Sequence, residues 1–188
     1  MKMTILADTH GNLTGVRDAV AASGEIDGIV HLGDGVSDGQ QVATENRLDF
    51  WGVYGNEDYG AKFSECCMLR PDNWPILLIH GHQWDLNPYH PKDVMNDEID
   101  SLAKFGVESG AACLFFGHTH QWYLEKRQGI ILCNPGNQYK GSPEGHSFAM
   151  LKSTPESLSI SIMEKTPDNK WIVKSHEQFQ NKPSINIS

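Results

Sequence analysis

Residues 4–12 read TILADTHGN, and this stretch sets the organisation of the whole chain. Thr4–Ala7 is typical of a short buried strand, because it is largely apolar and stops at polar, turn-forming residues. Asn12 is a suitable N-cap for the helix that should follow, and Gly24 is a suitable residue to end it. The stretch therefore predicts a strand, then a polar loop, then a helix.

The same succession of strand and polar loop returns twice. Gly28–Leu32 is a second predicted strand, followed by Gly33-Asp34-Gly35, and Phe50–Tyr54 is a third, followed by Gly55-Asn56-Glu57-Asp58. A weaker helix is predicted over residues 37–45. Alternating strands and helices favour parallel strands joined by right-handed crossovers, which places all three polar loops at one edge of a sheet. Ligands bind at the carboxyl ends of the strands in such sheets.

Two further apolar runs end in histidines. Ile76–Ile79 stops at His80-Gly81-His82, and Leu114-Phe115-Phe116-Gly117 stops at His118-Thr119-His120. Residues two apart in extended backbone point the same way, so the last two histidines should leave the strand end together. Between these runs the spacing predicts a helix over Pro91–Glu108 with proline at its first position.

The rest of the chain is predicted to contain little helix. Residues 60–74 show no regular pattern, and the later predicted strands are Trp122–Glu125, Ile130–Cys133, Ser147–Leu151, Leu158–Met163 and Trp171–Lys174. We expect these strands to form an antiparallel second sheet packed on the first. The 188 residues fit a single domain over residues 1–178, and the polar residues 179–188 are expected to form a loose C-terminal tail.

Composition and charge narrow the functional classes. The formal net charge of −9 argues against stable binding to nucleic acids or anionic membranes, because both require a basic face. A small anionic substrate is compatible with this charge, because bound divalent ions reverse the local field. No apolar run approaches the roughly 20 residues of a membrane span, and the first residues do not resemble a signal peptide. We therefore expect a cytoplasmic protein, and a homo-oligomer is left open.

The cysteines fit neither a zinc knuckle nor a disulfide framework. Cys66 and Cys67 are sequence neighbours, and no Cys-x-x-Cys pair occurs. Cys113 and Cys133 lie in apolar runs, so we expect them to be core residues in a reducing compartment.

Metal-capable side chains follow all five of the strands that end in polar loops. They comprise two carboxylates, one amide oxygen and four imidazoles: Asp8, His10, Asp34, Asn56, His80, His118 and His120. Seven ligands are too many for one tetrahedral ion but suit two ions that share a bridging carboxylate. The absence of a thiolate favours Mn, Fe, Co, Ni or Zn in a hydrolytic role. Two such ions roughly 3.5–4 Å apart would hold a hydroxide at neutral pH and bind a phosphate, which is the chemistry of phosphoester hydrolysis.

This ordered set of motifs resembles the calcineurin-like metallophosphoesterases. The motifs are Asp8-x-His10, Gly33-Asp34, Gly55-Asn56, His80-Gly81-His82 and Gly117-His118-Thr119-His120. Together with Asn134-Pro135-Gly136 and the small size of the chain, they are similar to the YfcE/MJ0936-like phosphodiesterase subgroup, to which the retromer subunit Vps29 is related. The resemblance covers about residues 3–152. It implies an α/β fold that is a four-layer α/β/β/α sandwich, with two mixed β-sheets flanked by helices.

The resemblance also implies how the ligands are shared between two divalent ions, of which manganese is the first candidate. The first ion would be held by Asp8, His10, Asp34 and His120. The second would be held by Asp34, Asn56, His80 and His118. Asp34 would then bridge the two ions, and Asn56 would help to position the phosphate of the substrate.

Position 57 departs from the pattern of many family members. They carry histidine directly after the Gly-Asn pair, where it binds the phosphate or protonates the leaving oxygen, whereas this chain has Glu57. A carboxylate adds no positive charge and would need a raised pKa to act as an acid. The small YfcE-like members also lack that histidine, so the departure agrees with an active enzyme that turns over poor leaving groups more slowly.

Some residues have a role that the sequence leaves open. His82 is the nearest alternative proton donor and a candidate substrate contact, but it could equally be a supporting or solvent-facing residue. Asn12, Asn137 and Gln138 are candidate supporting or phosphate-contacting residues. Asp58 is expected to orient a ligand or to cap a turn. The segment 83–91 could stack on a leaving group or simply anchor a loop through its aromatic residues.

The first functional hypothesis is therefore a metal-dependent phosphodiesterase acting on a small substrate. A phosphomonoesterase with the same mechanism is the nearest alternative. A Vps29-like interaction scaffold with little activity is the alternative from a different functional class, and it is motivated by Glu57. The sequence does not name the substrate.

Overall fold

The first part of the chain alternates strands and helices, as predicted. The computed structural model describes residues 1–87 and 89–180. The first elements are β1 (Lys2–Leu6), α1 (Leu13–Ser23), β2 (Gly28–His31), α2 (Val36–Asn46) and β3 (Asp49–Gly52). Asn12 is the N-cap of α1, and its side-chain oxygen accepts a hydrogen bond from the backbone N–H of Gly15.

The second part contains one long helix and eight strands. It begins with β4 (Cys66–Leu69), a 3₁₀ turn (Pro71–Asn73), β5 (Ile76–Ile79), a 3₁₀ turn (His82–Trp84) and α3 (Lys92–Glu108). It continues with β6 (Cys113–Phe115), β7 (Trp122–Arg127), β8 (Ile130–Pro135), β9 (Ser147–Ser153), β10 (Ser157–Lys165) and β11 (Trp171–Gln180). Pro91 directly precedes α3 as its N-cap, one residue before the predicted position. Strand β4 lies in a segment for which no regular structure was predicted.

The strands form two mixed sheets. The six-stranded sheet has the order β11-β10-β9-β1-β2-β3, and the five-stranded sheet has the order β4-β5-β6-β8-β7. In each sheet three neighbouring strands are parallel and the remainder are antiparallel. The predicted antiparallel second sheet is therefore wrong, because β9, β10 and β11 extend the first sheet. Ile5 of β1 pairs with Ala149 of β9, and the sequence period that identifies a strand does not identify its partner.

Three apolar layers hold the two sheets and the helices together. Met3 and Ile5 of β1 belong to the cluster between the sheets, together with Leu78 and Phe115 of the second sheet. Leu6 points the other way and packs with residues of α1 and α2, and a third cluster lies between the second sheet and α3. This alternation is the period-2 pattern of strands buried on both faces. The predicted four-layer α/β/β/α sandwich is confirmed.

Strand β11 reaches further than the sequence predicted. Phe179 pairs with Leu158, and Gln180 pairs with Ser157, so the first two residues of the predicted tail are part of the sheet. Residues 181–188 lie outside the described residues. No helix in the described part of the chain is long and apolar enough to cross a membrane. Cys113 and Cys133 are fully buried, as expected for core residues.

Candidate metal centre

The predicted ligands come together where strand ends of the two sheets face each other. Asp8 and His10 follow β1, Asp34 follows β2, and Asn56 follows the isolated bridge of Val53 beyond β3. His80 follows β5, and the pair His118 and His120 follows β6 in the other sheet. The ligand set is thus divided between two sheets that pack against each other.

Five of the seven predicted ligands have left-handed backbone. The φ angles are 52° for Asp8, 44° for His10, 53° for Asp34, 68° for His118 and 58° for His120. Residues other than glycine rarely adopt this conformation, and it persists at functional sites where the surrounding structure enforces it. The extended backbone expected at the last two histidines is therefore wrong, since β6 ends at Phe115 and a left-handed loop aims each ring separately.

We call Asp8, His10 and His120 the outer group. Their ligand atoms lie within 4.8 Å of one another. His120 Nε2 is 3.3 Å from His10 Nε2 and 3.5 Å from Asp8 Oδ1. Asp8 is fully buried, and its Oδ2 accepts the backbone N–H of His118, but its Oδ1 has no hydrogen-bond partner among the described residues. A buried carboxylate oxygen beside two imidazole nitrogens is an arrangement that fits a cation.

We call Asp34, His80 and His118 the inner group, and their ligand atoms also lie within 4.8 Å of one another. His80 Nε2 is 3.3 Å from Asp34 Oδ2 and 3.1 Å from the side-chain oxygen of Asn56. His80 Nδ1 donates to the backbone carbonyl of Leu32 at 2.7 Å. In the neutral ring this bond fixes the tautomer, so that Nε2 presents its lone pair to the inner group.

Asp34 lies between the two groups. It belongs to the inner group, and it also lies within 4.8 Å of ligand atoms of His10 and Glu57. Its Oδ1 accepts the backbone N–H of Glu57 at 2.7 Å, while its Oδ2 faces His80. Asp34 is thus a carboxylate with ligand atoms of both groups nearby.

Asp58 holds the loop that carries Asp34. Its carboxylate accepts four backbone N–H groups at 2.7–3.0 Å, those of Asp34, Gly35, Val36 and Gly55. It therefore caps α2, for which Gly35 supplies no side chain. Gly55 is required here by space, because a Cβ at that position would lie 2.2 Å from Asp34 Oδ1. The turn-capping role predicted for Asp58 agrees with these contacts.

A buried hydrogen-bond chain supports the loop after β1. His31 Nδ1 accepts the backbone N–H of Gly33, so the neutral ring carries its proton on Nε2 and donates to Thr9 Oγ1 at 3.2 Å. The Thr9 hydroxyl donates to Asp38 at 2.6 Å. Burial lowers the pKa of His31 to about 4, which keeps the ring neutral.

Two asparagines hold the loop after β6. Asn134 donates to the carbonyl of Gly117 at 2.8 Å and to Thr119 Oγ1, and Asn137 donates to the carbonyl of His120 at 2.8 Å. Both asparagines are fully buried. The Asn-Pro-Gly motif thus supports the histidine loop from β8, and Asn137 supports the loop without facing a substrate.

The electrostatics of the site suit a bound cation. Burial raises the pKa of Asp8 to about 8, against the opposing attraction of His80. Burial would also raise the pKa of Asp34, but hydrogen bonding and attraction from His80 hold it at about 2. Burial and the neighbouring His80 lower the pKa of His118 to about 4, so this ring is neutral and able to coordinate. Oxygen and neutral nitrogen donors in two adjoining groups fit divalent ions.

Asn12 does not face these groups. It is buried, its oxygen caps α1, and its amide nitrogen donates to the carbonyl of Gln138 at 2.6 Å. The contacts assign Asn12 to the structure of the loop, and they give no support to the substrate contact predicted for it.

His82 lies beside the inner group. Its ring centroid is 5.4 Å from that of His80 and 6.3 Å from that of His118. It lines a cavity of about 550 Å³ together with Asn56 and Tyr59. Burial and His80 lower the pKa of His82, and its Nδ1 is buried without a hydrogen-bond partner among the described residues.

Sequence reasoning did not identify Tyr139. Its ring packs edge-on against His10, with centroids 5.1 Å apart, and lies 6.1 Å from His120. A tyrosine in a glycine-rich loop after β8 has no motif that marks it. In the segment 83–91, the Trp84 ring packs at a tilt against that of Phe105, with centroids 4.6 Å apart, and anchors the loop. Tyr89 is exposed and lines a cavity of about 390 Å³ beside His118 and His120.

Comparison with known proteins identifies the family. A model of the calcineurin-like phosphoesterase superfamily domain matches residues 1–155, which include every ligand of the inner and outer groups. The chain belongs to the calcineurin-like phosphoesterase superfamily. Membership in this superfamily supports metal binding and phosphoesterase activity, which belongs to the hydrolase class.

Two relatives and one solved structure are similar to the chain over most of its length. The chain is 30% identical to the probable metallophosphoesterase MG207 of Mycoplasma genitalium over 138 residues, which cover 73% of this chain and 77% of the relative. It is 26% identical to the phosphodiesterase MJ0936 of Methanocaldococcus jannaschii over 159 residues, covering 72% and 83%. Its fold matches Vps29 from Entamoeba histolytica complexed with Zn²⁺, with a TM-score of 0.69, 20% identity and coverage of 96% and 99%.

Proposed function

We propose that this member of the superfamily is a phosphodiesterase that uses two divalent metal ions. The observation that carries the proposal is the pair of ligand groups on either side of Asp34. Asp8, His10, Asp34 and His120 would hold the first ion, and Asp34, Asn56, His80 and His118 the second. Bound ions would supply a nucleophile, by lowering the pKa of a shared water, and positive charge for the phosphoryl oxygens.

The side chains around these ligands have separate tasks in the proposal. Asn56 is exposed above His80 and can orient the phosphate with its amide nitrogen, while its oxygen faces the inner group. His82 lines the same cavity as Asn56, which supports a role for it near the leaving group. We assign proton donation to His82, since Glu57 is engaged with His10. Burial and His80 lower the pKa of His82, so the proposal requires that the negative charge developing on the leaving oxygen favours the protonated ring.

The charge of the surrounding cavities favours a diester over a monoester. Three cavities open beside the ligands, and their acidic lining residues are Asp34, Asp38, Glu57, Asp58, Asp85 and Glu144. No lysine or arginine lines these three cavities in the described part of the chain. The ions would be the only attracting charges beside these cavities, and each carboxylate would repel a monoester dianion about twice as strongly as a singly charged diester.

The test compares bis(p-nitrophenyl) phosphate with p-nitrophenyl phosphate in the presence of Mn²⁺. We expect kcat/KM to be about tenfold or more higher for the diester, which corresponds to roughly 1.4 kcal/mol. Asp34→Asn is the control and should abolish both reactions. Faster hydrolysis of the monoester would favour a phosphomonoesterase, and no turnover of either ester by protein with confirmed metal occupancy would overturn the proposal.

The identity of the metal and the compartment are parts of the same proposal. Oxygen and imidazole donors without thiolate suit Mn²⁺, with Fe, Co, Ni and Zn as alternatives. Purified protein loaded with each metal and then analysed for metal content would rank them.

We propose a reducing compartment such as the cytoplasm, because all four cysteines are unpaired.

A scaffold role is the second candidate. It is favoured by the fold match to Vps29, which covers 96% of this chain, and by Glu57 in place of the histidine found in many family members. Wild type and Asp34→Asn would be compared for turnover and for binding to any co-purifying protein. Partner binding lost in the variant, with no turnover in the wild type, would favour the scaffold.

A further inference from the structure

Glu57 makes a direct contact with one of the proposed ligands. Its Oε2 lies 3.0 Å from Nδ1 of His10. The other ring nitrogen of His10, Nε2, faces His120 at 3.3 Å and therefore points into the outer group. Each nitrogen of this ring thus has one neighbour, a carboxylate on one side and the outer group on the other.

We propose that Glu57 is a positioning residue that fixes the tautomer and the orientation of His10 for metal binding. An ionised carboxylate only accepts hydrogen bonds, so the neutral ring must carry its proton on Nδ1. The lone pair of Nε2 is then directed at the outer group. His80 is oriented in the same way in the inner group, where the carbonyl of Leu32 accepts from Nδ1.

The backbone around Glu57 makes this contact specific. The N–H of Glu57 donates to Asp34 Oδ1 at 2.7 Å, and Asp58 ties the same turn to the loop after β2. The turn after β3 therefore holds the Glu57 carboxylate against His10 in the loop after β1. The His10 ring is confined on its other faces by Tyr139 and His120, at centroid distances of 5.1 and 5.2 Å.

Exposure sets the size of the expected effect. The Glu57 side chain is 59% exposed, whereas that of His10 is 14% exposed, so water competes for the carboxylate but hardly reaches the ring. Removal of partners that orient metal ligands lowers metal affinity by about 10- to 100-fold, and partial exposure places Glu57 at the lower end of this range.

The first readout is the tautomer of His10 in metal-free protein, measured from the ¹⁵N chemical shifts of its ring. We expect the Nδ1–H tautomer in the wild type and in Glu57→Gln, whose amide oxygen still accepts. We expect a shift toward the Nε2–H tautomer in Glu57→Ala. Glu25→Ala is the matched control, because Glu25 is exposed in the turn before β2, at the opposite end of the sheet.

The second readout is Mn²⁺ binding by titration calorimetry, which does not depend on turnover. Glu57→Ala should weaken one of two binding steps by about tenfold and leave the other unchanged, and Glu57→Gln should restore most of the loss. Equal affinities in the wild type and Glu57→Ala, with an unchanged tautomer, would overturn the proposal. Equal losses in the Gln and Ala variants would also overturn it, because they would show that charge or direct coordination is what matters.

The inference rests on the proposed metal sites, and the two readouts distinguish their failures. Wild-type protein that binds fewer than two ions would overturn the two-ion function. Two ions in the wild type with no effect of Glu57→Ala would overturn only the role of Glu57.

Discussion

The inner and outer groups use the same kinds of side chain but are held in place differently. His80 of the inner group is fully buried and bonded to a backbone carbonyl, and Asp34 is fixed by a backbone N–H. In the outer group Asp8 is also buried and accepts a backbone N–H, but the His10 and His120 side chains are 14% and 30% exposed and rest against other side chains. A ligand fixed by main chain loses less freedom on binding, so we expect the inner group to bind its ion more tightly.

The largest expected effect comes from removing Asp58, whose carboxylate holds the loop that carries Asp34 of the inner group. Asp58→Ala leaves four backbone N–H groups without their acceptor, and we expect the free energy of unfolding to fall by about 3–5 kcal/mol. Urea unfolding of metal-free protein measures it. Asp49→Ala, an exposed carboxylate at the start of β3, is the control and should change stability by less than about 0.5 kcal/mol. Equal stabilities of the two variants would contradict the role of Asp58.

The two histidines after β6 test whether the groups bind separate ions. His118→Ala should weaken binding of the ion at the inner group, and His120→Ala should weaken binding of the ion at the outer group. We expect a loss of at least about 100-fold in each affinity, because removal of a residue that merely supports a ligand already lowers metal affinity by about 10- to 100-fold. Metal titration of the two variants measures this. Loss of both ions in each variant would show that the division is wrong.

Stability against pH tests the buried carboxylate of the outer group. The pKa of Asp8 is raised to about 8 in the fold from an ordinary value of 3.8, so between pH 6.5 and 8 the folded state keeps a proton that the unfolded chain has lost. His80, whose pKa is raised by Asp34 and Asp8 against the effect of burial, contributes with the same sign. The free energy of unfolding of metal-free protein should therefore fall across this window, by up to about 2 kcal/mol from Asp8 alone.

Urea unfolding with a chelator at pH 6.5 and pH 8 measures this fall. Excess Mn²⁺ should remove most of the slope, because a cation keeps Asp8 ionised at both pH values. Asp8→Asn should flatten the metal-free slope. A metal-free stability that rises from pH 6.5 to 8 would contradict the assignment.

The smallest expected effect concerns the side-chain support of the outer group. Tyr139→Leu removes the ring that packs on His10 and His120. We expect about a threefold loss in affinity for the outer ion, in line with 0.5–1 kcal/mol for an aromatic pair. Metal titration would show it, with Tyr59→Leu, which is 91% exposed, as the control. An effect on the inner ion of equal size would mean that the groups are not independent.

Much of the fold follows from local patterns in the sequence. Strand, loop and helix recur from Thr4 to Asp58 with capping residues in place, and the structure confirms these elements. Strand β4 escaped prediction because Cys66–Leu69 is half-exposed at a sheet edge and shows no alternation. The division of strands between the sheets was also not predictable, because β1 could pair equally well with any strand of suitable length.

The residue types of the candidate site could be predicted from the sequence, but the contacts that hold the ligands in place could not. The residue types after each strand indicate ligands, and the structure brings all seven together. The left-handed backbone of His118 and His120 carries no sequence signal, since glycine is absent from both positions. The sequence predicted a turn-capping role for Asp58 but not its partners in the loop after β2. The contacts of Tyr139 with His10 and His120 join distant loops, which one sequence does not reveal.

The pairing of β1 with β9 has a consequence for the order of events during synthesis. The last proposed ligand, His120, leaves the ribosome before Ser147, where β9 begins. Until β9 emerges, one edge of β1 carries unpaired backbone groups, and the nascent chain cannot complete the sheet that positions Asp8 and His10. Metal uptake by the outer group should therefore be a late event that follows release of the carboxyl-terminal strands.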